Sequence, residues 1–362
     1  MAARPGLSAF SRTEKLLLAA VVVLTVFAGV ARYASGVSRI IAFILAMLAL
    51  AGLAGIVSLA TEQVGERLGA GATGLMQSTI GNLPEFFVVI FALQAGQKVV
   101  AETAILGSIL SNALLVLGLV IVAGALRERA RDGIMRFSPR LPNDTATLLL
   151  VSSFIIVLIG LTHSAGDTAS HHTKTISIIG AVVILLVYAT WLRQYLTTPD
   201  PASMTAGREP RLTLVTSIGL LVVAGAASAF VSDWFINALE PTIETLGISQ
   251  AFAGLVIVAI AGNAVEHATG VVLAAKGQSN LAISVVKNSV AQIAAFLYPL
   301  LVLVSLLTAT TLTFTLAPVY IGALIGTAII VWQITGDGEA TVFEGTALVA
   351  TFVIIATVAW FE

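Results

Sequence analysis

The segment Gly81-Asn82-Leu83-Pro84-Glu85 recurs 181 residues later as Gly262-Asn263-Ala264-Val265-Glu266. The register continues without a gap to Gly96-Gln97, which matches Gly277-Gln278. Polar residues that recur at one fixed spacing inside strongly apolar sequence indicate a duplicated structural unit. The repeat therefore predicts a chain built from two related halves.

The composition predicts that both halves lie in a membrane. Of the 362 residues, 58% are hydrophobic and 10% are charged, whereas about a quarter are charged in ordinary soluble domains. A soluble fold of this composition would expose too much apolar surface. The net charge of -1 gives no indication of nucleic-acid binding. The absence of cysteine excludes disulfides and thiolate metal sites, so any metal here has oxygen or imidazole ligands.

Apolar runs long enough to cross a bilayer predict an all-α polytopic membrane protein with about eleven transmembrane helices. The helices are expected at 15–35, 39–63, 70–96, 99–125, 145–164, 174–196, 211–235, 250–275, 281–308, 312–333 and 339–361. A Pro/Ser/Thr-rich stretch near the middle is the expected seam. The expected units are an N-terminal segment with the first helix at 1–38, a five-helix repeat at 39–196, a cytoplasmic linker at 197–210 and a second five-helix repeat at 211–362.

The distribution of basic residues predicts the orientation. Thirteen of the 18 Lys and Arg residues fall on one side of the predicted helices, four on the other, and Lys287 within a span. The positive-inside rule then places the N-terminus in the cytoplasm and the C-terminus outside, and we expect a cell inner membrane. The repeated segments lie on helices three and eight, so the second copy is inverted relative to the first. Inverted repeats place equivalent residues about an axis near the membrane midplane, which predicts that Glu85 and Glu266 meet there.

Two intramembrane glutamates in equivalent positions form the candidate cation and proton site. A carboxylate at that depth costs several kcal/mol, of the order of 3, and usually marks function. Glycine and proline beside the glutamates loosen the helical ladder and free carbonyl oxygens. The candidate ligands are Glu85, Glu266, Asn82, Asn263, Gly81 and Gly262, with the two glutamates as metal ligands. Hard divalent cations such as calcium take six to eight oxygen ligands, and the candidate residues offer ligands of this kind. Two alternatives stay open: helix packing by the glycines, and hydrogen bonds that the asparagines form between helices.

Polar residues on helices four and nine extend the candidate site. They are Ser108, Ser111 and Asn112 in the first half, and Ser289 and Gln292 in the second. Residues three apart share a helix face, so each group is expected to point at the glutamates, with helix stitching as the alternative. Five accessory candidates are Glu62, Glu240, Glu244, His267 and Lys287. The side chain of Lys287 is expected to snorkel to the cytoplasmic face rather than act as a tethered cation.

These residues resemble the calcium/cation antiporter superfamily, and specifically its cation/proton exchanger branch. The resembling segments are Thr61-Glu62, Gly81-Asn82-x-x-Glu85, Gly107 through Val116, Phe252 through Leu255, Gly262-Asn263-x-x-Glu266-His267, and Gln292-Ile293-Ala294 ahead of Pro299. The chain departs from the branch at Lys287 and at Asn288-Ser289, where Gly-Ser is usual. The resemblance implies one leading helix, two inverted five-helix halves, calcium bound by the two glutamates, and proton counter-transport.

The expected function is secondary active antiport of a divalent cation, Ca²⁺ in the first instance, against H⁺ by alternating access. Cation and protons would compete for Glu85 and Glu266. Sodium-coupled relatives carry Thr or Ser where Asn82 and Asn263 stand, so the resemblance favours proton coupling. Pro84 resembles the sodium-coupled branch, so sodium coupling is the alternative, and a cation channel is a further one. Neither His-Glu-x-x-His nor Gly-x-Ser-x-Gly occurs, so no enzyme is expected. No cofactor is expected beyond the transported ion. The expected partners are Ca²⁺, H⁺ and the lipid bilayer, with no nucleic acid and with homo-oligomerisation left open.

Overall fold

A computed structural model describes residues 10–68, 80–197 and 211–362, and these are mainly helical. The helices are α1 (Arg12–Tyr33), α2 (Arg39–Leu68), α3 (Leu83–Gln94), α4 (Lys98–Leu110), α5 (Leu117–Arg127), α6 (Arg140–Ala165), α7 (Thr173–Thr197), α8 (Leu214–Leu246), α9 (Gln250–Phe252), α10 (Ala259–Ala275), α11 (Ser279–Gln292), α12 (Tyr298–Val304), α13 (Pro318–Thr335) and α14 (Val342–Trp360). Two short strands, β1 (Ile134–Arg136) and β2 (Glu339–Thr341), pair antiparallel.

Within the described ranges, nine helices are long and apolar enough to cross a membrane, if the continuous runs Lys98–Ala130 and Ser279–Leu307 are each counted as one helix. A tenth span is formed if the bent pair Gln250–Ala264 and Glu266–Ala275 is counted as one. The chain is therefore a multi-pass integral membrane protein, as the composition predicted. The predicted count of eleven is not confirmed, because α3 has only 12 residues and most of the chain before it, residues 69–79, lies outside the described part. The predicted linker also falls there, apart from its first residue.

Two predicted helices differ from the structure in ways that affect the site. Within the range expected as one helix at 70–96, the described residues form a turn at Gly81-Asn82, so that Glu85 lies in the first turn of α3 rather than about fifteen residues into a helix. The helix expected to end at residue 235 continues to Leu246 as α8, through Pro241. Gly247, at φ 62°, ends it in the left-handed conformation that glycine adopts without strain.

The second half repeats the backbone of the first at the 181-residue offset. Gly96 and Gly277 both have positive φ, 76° and 79°. The next residue, Gln97 or Gln278, is the N-cap of a helix in each half, α4 or α11. Each of these helices runs into a π-helical segment, Ser111–Val116 in the first half and Ile293–Leu297 in the second. The repeat seen in sequence is thus a repeat of local structure.

The helices form two packed groups. Helices α1, α2 and α8 pack against one another, and α2 and α8 also contact α10 and α3 respectively. Elsewhere α6 packs on α13, α5 on α14, and α7 on α12. A third π-helical segment, Ala253–Val258, packs on α4. This last contact is very close, because a Cβ atom on Gly107 would overlap the backbone of Leu255.

Contacts between loops sort into two sets that agree with an up-and-down arrangement of helices. On one side β1 pairs with β2, Arg127 donates to the carbonyl of Ala275 at 2.9 Å, and Asn280 accepts from the backbone of Ser138 at 2.7 Å. The Arg136 guanidinium, hydrogen-bonded to the carboxylate of Asp132, holds the pKa of that carboxyl below its usual value. The two helical halves are therefore clasped together at this end.

The opposite set of loops joins the other helix ends. Gln97 donates to Glu240 at 3.3 Å, and Phe252 stacks edge-on against Trp360 with ring centroids 4.8 Å apart. The hydroxyl of Ser177 accepts from the backbone of Phe314 at 3.1 Å. Gln97 and Glu240 lie in connectors predicted on the outer side. The other four residues lie near the ends of predicted helices that face the same side.

Candidate cation site

The turn at Gly81-Asn82 places Glu85 at the start of a helix inside the protein. Pro84 occupies the first turn of α3, where its missing N–H removes no helical hydrogen bond. The carboxylate of Glu85 therefore lies near the positive end of the helix dipole. Its side chain is only 7% exposed. A local break in the helix thus brings a charged group into the core with partial electrostatic compensation.

Glu85 is hydrogen-bonded by residues from both halves of the chain. Ser108 donates its hydroxyl to Oε1 at 2.6 Å, and the Asn263 side-chain amide donates to the same oxygen. Oε2 is buried and has no hydrogen-bond partner among the described residues. One oxygen of the carboxylate is thus held by fixed donors, and the other is available to a cation or a proton.

Glu266 repeats the first of these contacts. Ser289 donates its hydroxyl to Oε2 of Glu266 at 2.8 Å, over the same sequence separation of 23 residues as the Ser108–Glu85 pair. The helix that carries Glu266 also contacts Glu85, because a Cβ atom on Gly262 would lie 3.0 Å from Cγ of Glu85. Residues four apart are neighbours on a helix face, so Glu266 follows this contact by one turn. The residue one turn before Glu266 thus lies against the side chain of Glu85.

The other predicted polar residues support Ser108 rather than contact the glutamates. Asn112 donates its amide to the backbone carbonyl of Ser108 at 2.9 Å, and Ser111 approaches the same carbonyl at 3.5 Å. Gln292 is buried at the equivalent position of the second half. Ser111 and Asn112 begin the first π-helical segment, and Gln292 directly precedes the second. Such segments leave carbonyls with altered pairing and are frequent at functional sites. Hydropathy alone gave no signal for these segments.

A small cavity adjoins Glu85. Three of its lining residues, Glu85, Ser108 and Gly262, belong to the predicted site. The remaining lining is aliphatic: Val88, Val89, Ala104, Ile105, Val258, Ile293 and Leu297. An apolar wall of this kind keeps water away and strengthens electrostatic interactions at the carboxylate. Sequence reasoning missed this wall, and also the carbonyl of Ala259, which accepts from Asn263 at 3.1 Å.

The accessory candidates lie around the site rather than in it. Glu240 and Glu244 are exposed in the last turns of α8, and Glu62 is half-buried on α2. His267 is partly buried, and its Nε2 atom has no hydrogen-bond partner in the described part of the chain. In the residues that the structure describes, none of these four side chains is hydrogen-bonded to Glu85 or Glu266.

The prediction that Lys287 snorkels to the membrane surface is wrong. Its side chain is 2% exposed, and Nζ donates to the hydroxyl of Thr335 at 3.2 Å. The reason is tertiary, because α6 packs on α11 and the last residue of α13, Thr335, lies beside the lysine. The carbonyl end of a helix favours a cation, which partly offsets the cost of burial.

The donor set fits a hard cation. The described residues contain no cluster of three or more His, Asp or Glu side chains that could hold a metal. Carboxylate, hydroxyl, amide and carbonyl oxygens are the ligands that calcium takes at six to eight positions. The chain has no cysteine, so it offers no thiolate ligand for a soft metal ion. The arrangement suits transient occupancy better than a closed structural site.

The fold and the site define a membrane transporter with a duplicated helical core and a pair of carboxylates within it, Glu85 buried and Glu266 half-buried. The family model described as sodium/calcium exchanger protein matches residues 38–193 and 216–361. The chain belongs to this family.

Relatives and a solved structure agree with that assignment. The chain is 30% identical over 340 residues to a Ca(2+)/H(+) antiporter of Synechocystis sp., covering 88% of this chain and 91% of the relative. It is 32% identical over 322 residues to a vacuolar calcium ion transporter of Schizosaccharomyces pombe, covering 86% and 77%. The structure of native YfkE superposes with a TM-score of 0.77 at 26% identity, covering 96% of this chain and 99% of that one.

Proposed function

We propose that the chain is a secondary active antiporter that exchanges Ca²⁺ for H⁺, with Glu85 and Glu266 binding the cation or the protons in competition. The observation that carries the proposal is the paired geometry. Each glutamate accepts a serine hydroxyl from the following helix of its own half, at 2.6 and 2.8 Å. The names of the similar proteins, which include a Ca(2+)/H(+) antiporter, support the choice of ions.

For electrostatic reasons, the site would hold either a divalent cation or protons, but not both. A charged carboxylate surrounded by apolar side chains is costly unless a proton or a cation neutralises it. Two carboxylates near each other also repel, so the empty doubly charged site is the least favourable state. One divalent cation or up to two protons therefore satisfies the site, which would couple the two fluxes with up to two protons per cation.

Alternating access would come from relative motion of the two packed groups. The group formed by α1, α2 and α8 contacts α3 and α10, the helices that carry the glutamates. We propose that this group shifts against the remaining helices and exposes the site to one side at a time. The two five-helix units at 39–196 and 211–362 would act as inverted halves about the site.

The proposed orientation has the N-terminus in the cytoplasm and the C-terminus outside. Support comes from the two sets of loop contacts, since residues predicted on one face contact one another, such as β1 with β2. The basic residues of 127–140 lie in the set assigned to the cytoplasm. A cell inner membrane is the proposed location.

The test uses purified protein in sealed vesicles with an imposed pH gradient and sodium-free buffer. Calcium uptake that follows the size and sign of the gradient supports proton exchange. Uptake that ignores the gradient and needs a sodium gradient instead favours sodium coupling. Flux that persists without any counter-ion gradient indicates a channel. Protein-free vesicles and vesicles with Glu85→Gln serve as the controls.

A further inference from the structure

The two asparagines of the repeat, Asn82 and Asn263, differ in their hydrogen bonds, although they occupy equivalent positions in the sequence. Asn263 crosses to the opposite half, where its amide donates to Glu85, and it lies 3.1 Å from the hydroxyl of Ser108. The reciprocal contact would join Asn82 to Glu266. In the described residues Asn82 is 5% exposed, and its Nδ2 atom is buried without a hydrogen-bond partner.

A buried amide without a partner needs an explanation, because it forfeits a hydrogen bond that folding otherwise supplies. Glu266 offers an acceptor in the second half, and only Ser289 is hydrogen-bonded to it among the described residues. Inverted halves of a transporter exchange their conformations when access changes sides. The idle amide of Asn82 is then in the position that Asn263 would adopt in the opposite-facing state.

We propose that Asn82 and Asn263 alternate as cross-repeat donors, Asn263 to Glu85 in the state described here and Asn82 to Glu266 in the opposite-facing state. This inference rests on the proposed alternating-access function and adds the positioning residues that distinguish its two end states. Each asparagine holds the other half's glutamate only while the site faces one side.

The amide of Asn263 also keeps a cation away from Oε1 of Glu85. Three oxygens converge on Nδ2 of Asn263: Oε1 of Glu85, the hydroxyl of Ser108 and the carbonyl of Ala259. Such a group of oxygens suits a hard cation, and the amide nitrogen occupies its centre. Release of Asn263 therefore frees these oxygens, and a rotated amide would add its own oxygen to them. Bridging and cation binding at Oε1 of Glu85 thus exclude each other, while Oε2 stays available.

The absence of cysteine from the chain allows a direct test. A single cysteine replaces Ala104, which lines the cavity beside Glu85. A membrane-impermeant maleimide then labels it from either side of oriented vesicles, and the ratio of the two rates reports the facing equilibrium. Asn263→Ala and Asn82→Ala are made in this background, with Asn237→Ala, on the exposed face of α8, as the control.

Opposite shifts are expected. Asn263→Ala should move the labelling ratio away from the state described here, and Asn82→Ala should move it toward that state, each on the order of tenfold for one lost hydrogen bond to a charged acceptor. The double variant should return to within about threefold of the parent, since roughly equal and opposite effects offset each other. Asn237→Ala should leave the ratio unchanged.

Shifts in the same direction, no shift in either variant, or a double variant that stays at one extreme would overturn the alternation. Asn263→Ser and Asn82→Ser provide a second pair if an alanine variant does not fold, and they must show the same opposed shifts. The labelling needs no ion exchange. Opposed shifts in a protein that fails to exchange calcium for protons would therefore leave the alternation standing and remove only the proposed ions.

Discussion

The amide of Asn263 is hydrogen-bonded to the carboxylate of Glu85, 178 residues earlier in the chain. This contact joins the two halves of the protein at the point where each contributes a glutamate. It also makes the site asymmetric, since Oε1 of Glu85 has two donors and Oε2 has none among the described residues. The proposed exchange depends on how firmly these donors hold each carboxylate.

Removing a serine donor should weaken cation exchange. Ser108→Ala takes a 2.6 Å hydrogen bond from Glu85, and Ser289→Ala takes one of 2.8 Å from Glu266. Hydrogen bonds to charged groups contribute about 1.5–3 kcal/mol, so the apparent KM for calcium should rise on the order of tenfold or more. Initial uptake rates over a range of calcium concentrations measure the effect.

The matched control for the serine variants is Ser284→Ala. This residue lies on the same helix as Ser289, but its hydroxyl donates to the carbonyl of Asn280 within its own helix. Its KM should change less than twofold, since such local bonds contribute little to stability or to the site. An unchanged KM in both Ser108→Ala and Ser289→Ala would show that the serines do not act on the carboxylates.

Gly262→Ala should impair exchange by displacing Glu85. The added Cβ would lie 3.0 Å from Cγ of Glu85, so the carboxylate must shift away from its donors. We expect at least a tenfold loss of uptake rate with a normal elution profile in detergent. Gly219→Ala is the control, because a Cβ there meets nothing within 4 Å. Equal activity of the two variants would mean that Glu85 does not need this position.

The two repeat turns should respond differently to the same substitution. Gly96→Ala and Gly277→Ala each force a side chain into positive φ, which costs about 1–2 kcal/mol. At Gly277 the Cβ would also lie 2.6 Å from Nε of Arg127 and disturb its bond to Ala275, whereas at Gly96 it meets nothing within 4 Å. Gly277→Ala should therefore lower the thermal midpoint by about 2 °C or more beyond Gly96→Ala. A larger loss at Gly96 would contradict the described packing.

Replacing Lys287 by methionine should not destabilise the protein. The substitution keeps much of the side-chain volume and removes a buried charge that is hydrogen-bonded to the hydroxyl of Thr335. Exchanging buried charges for apolar groups of similar size is often neutral or stabilising, by about 1–4 kcal/mol. Thermal unfolding in detergent should show an unchanged or higher midpoint. A fall of several degrees would indicate that the ammonium group stabilises this part of the fold.

Sequence predicted the repeat and the membrane fold because both leave local signals. The 181-residue register survives as matching glycine turns and as matching Ser–Glu hydrogen bonds in the two halves. Apolar runs predicted the long helices, and family membership and fold agree with the resemblance drawn from the motifs. The roles of the site residues stay predictions, although the structure brings Glu85, Ser108 and Asn263 into direct contact.

Other features could not be predicted because they depend on tertiary contacts. The length of α8 was missed because Asp233, Asn237 and Glu240 interrupt the apolar run, while the backbone ladder continues to Gly247. The burial of Lys287 depends on where α13 ends. The difference between Asn82 and Asn263 depends on which conformation the two halves adopt, and equivalent sequence segments carry no information on that choice.

The central claim is that calcium and protons compete for Glu85 and Glu266. The most direct measurement is the number of protons released when calcium binds to the purified protein, obtained by calorimetry in buffers of different ionisation enthalpy. We predict release of between one and two protons, with binding and release both lost in Glu85→Gln and in Glu266→Gln but kept in Glu128→Gln, which lies in the loop after α5. Calcium binding without proton release, or full binding in either glutamine variant at the site, would contradict the claim.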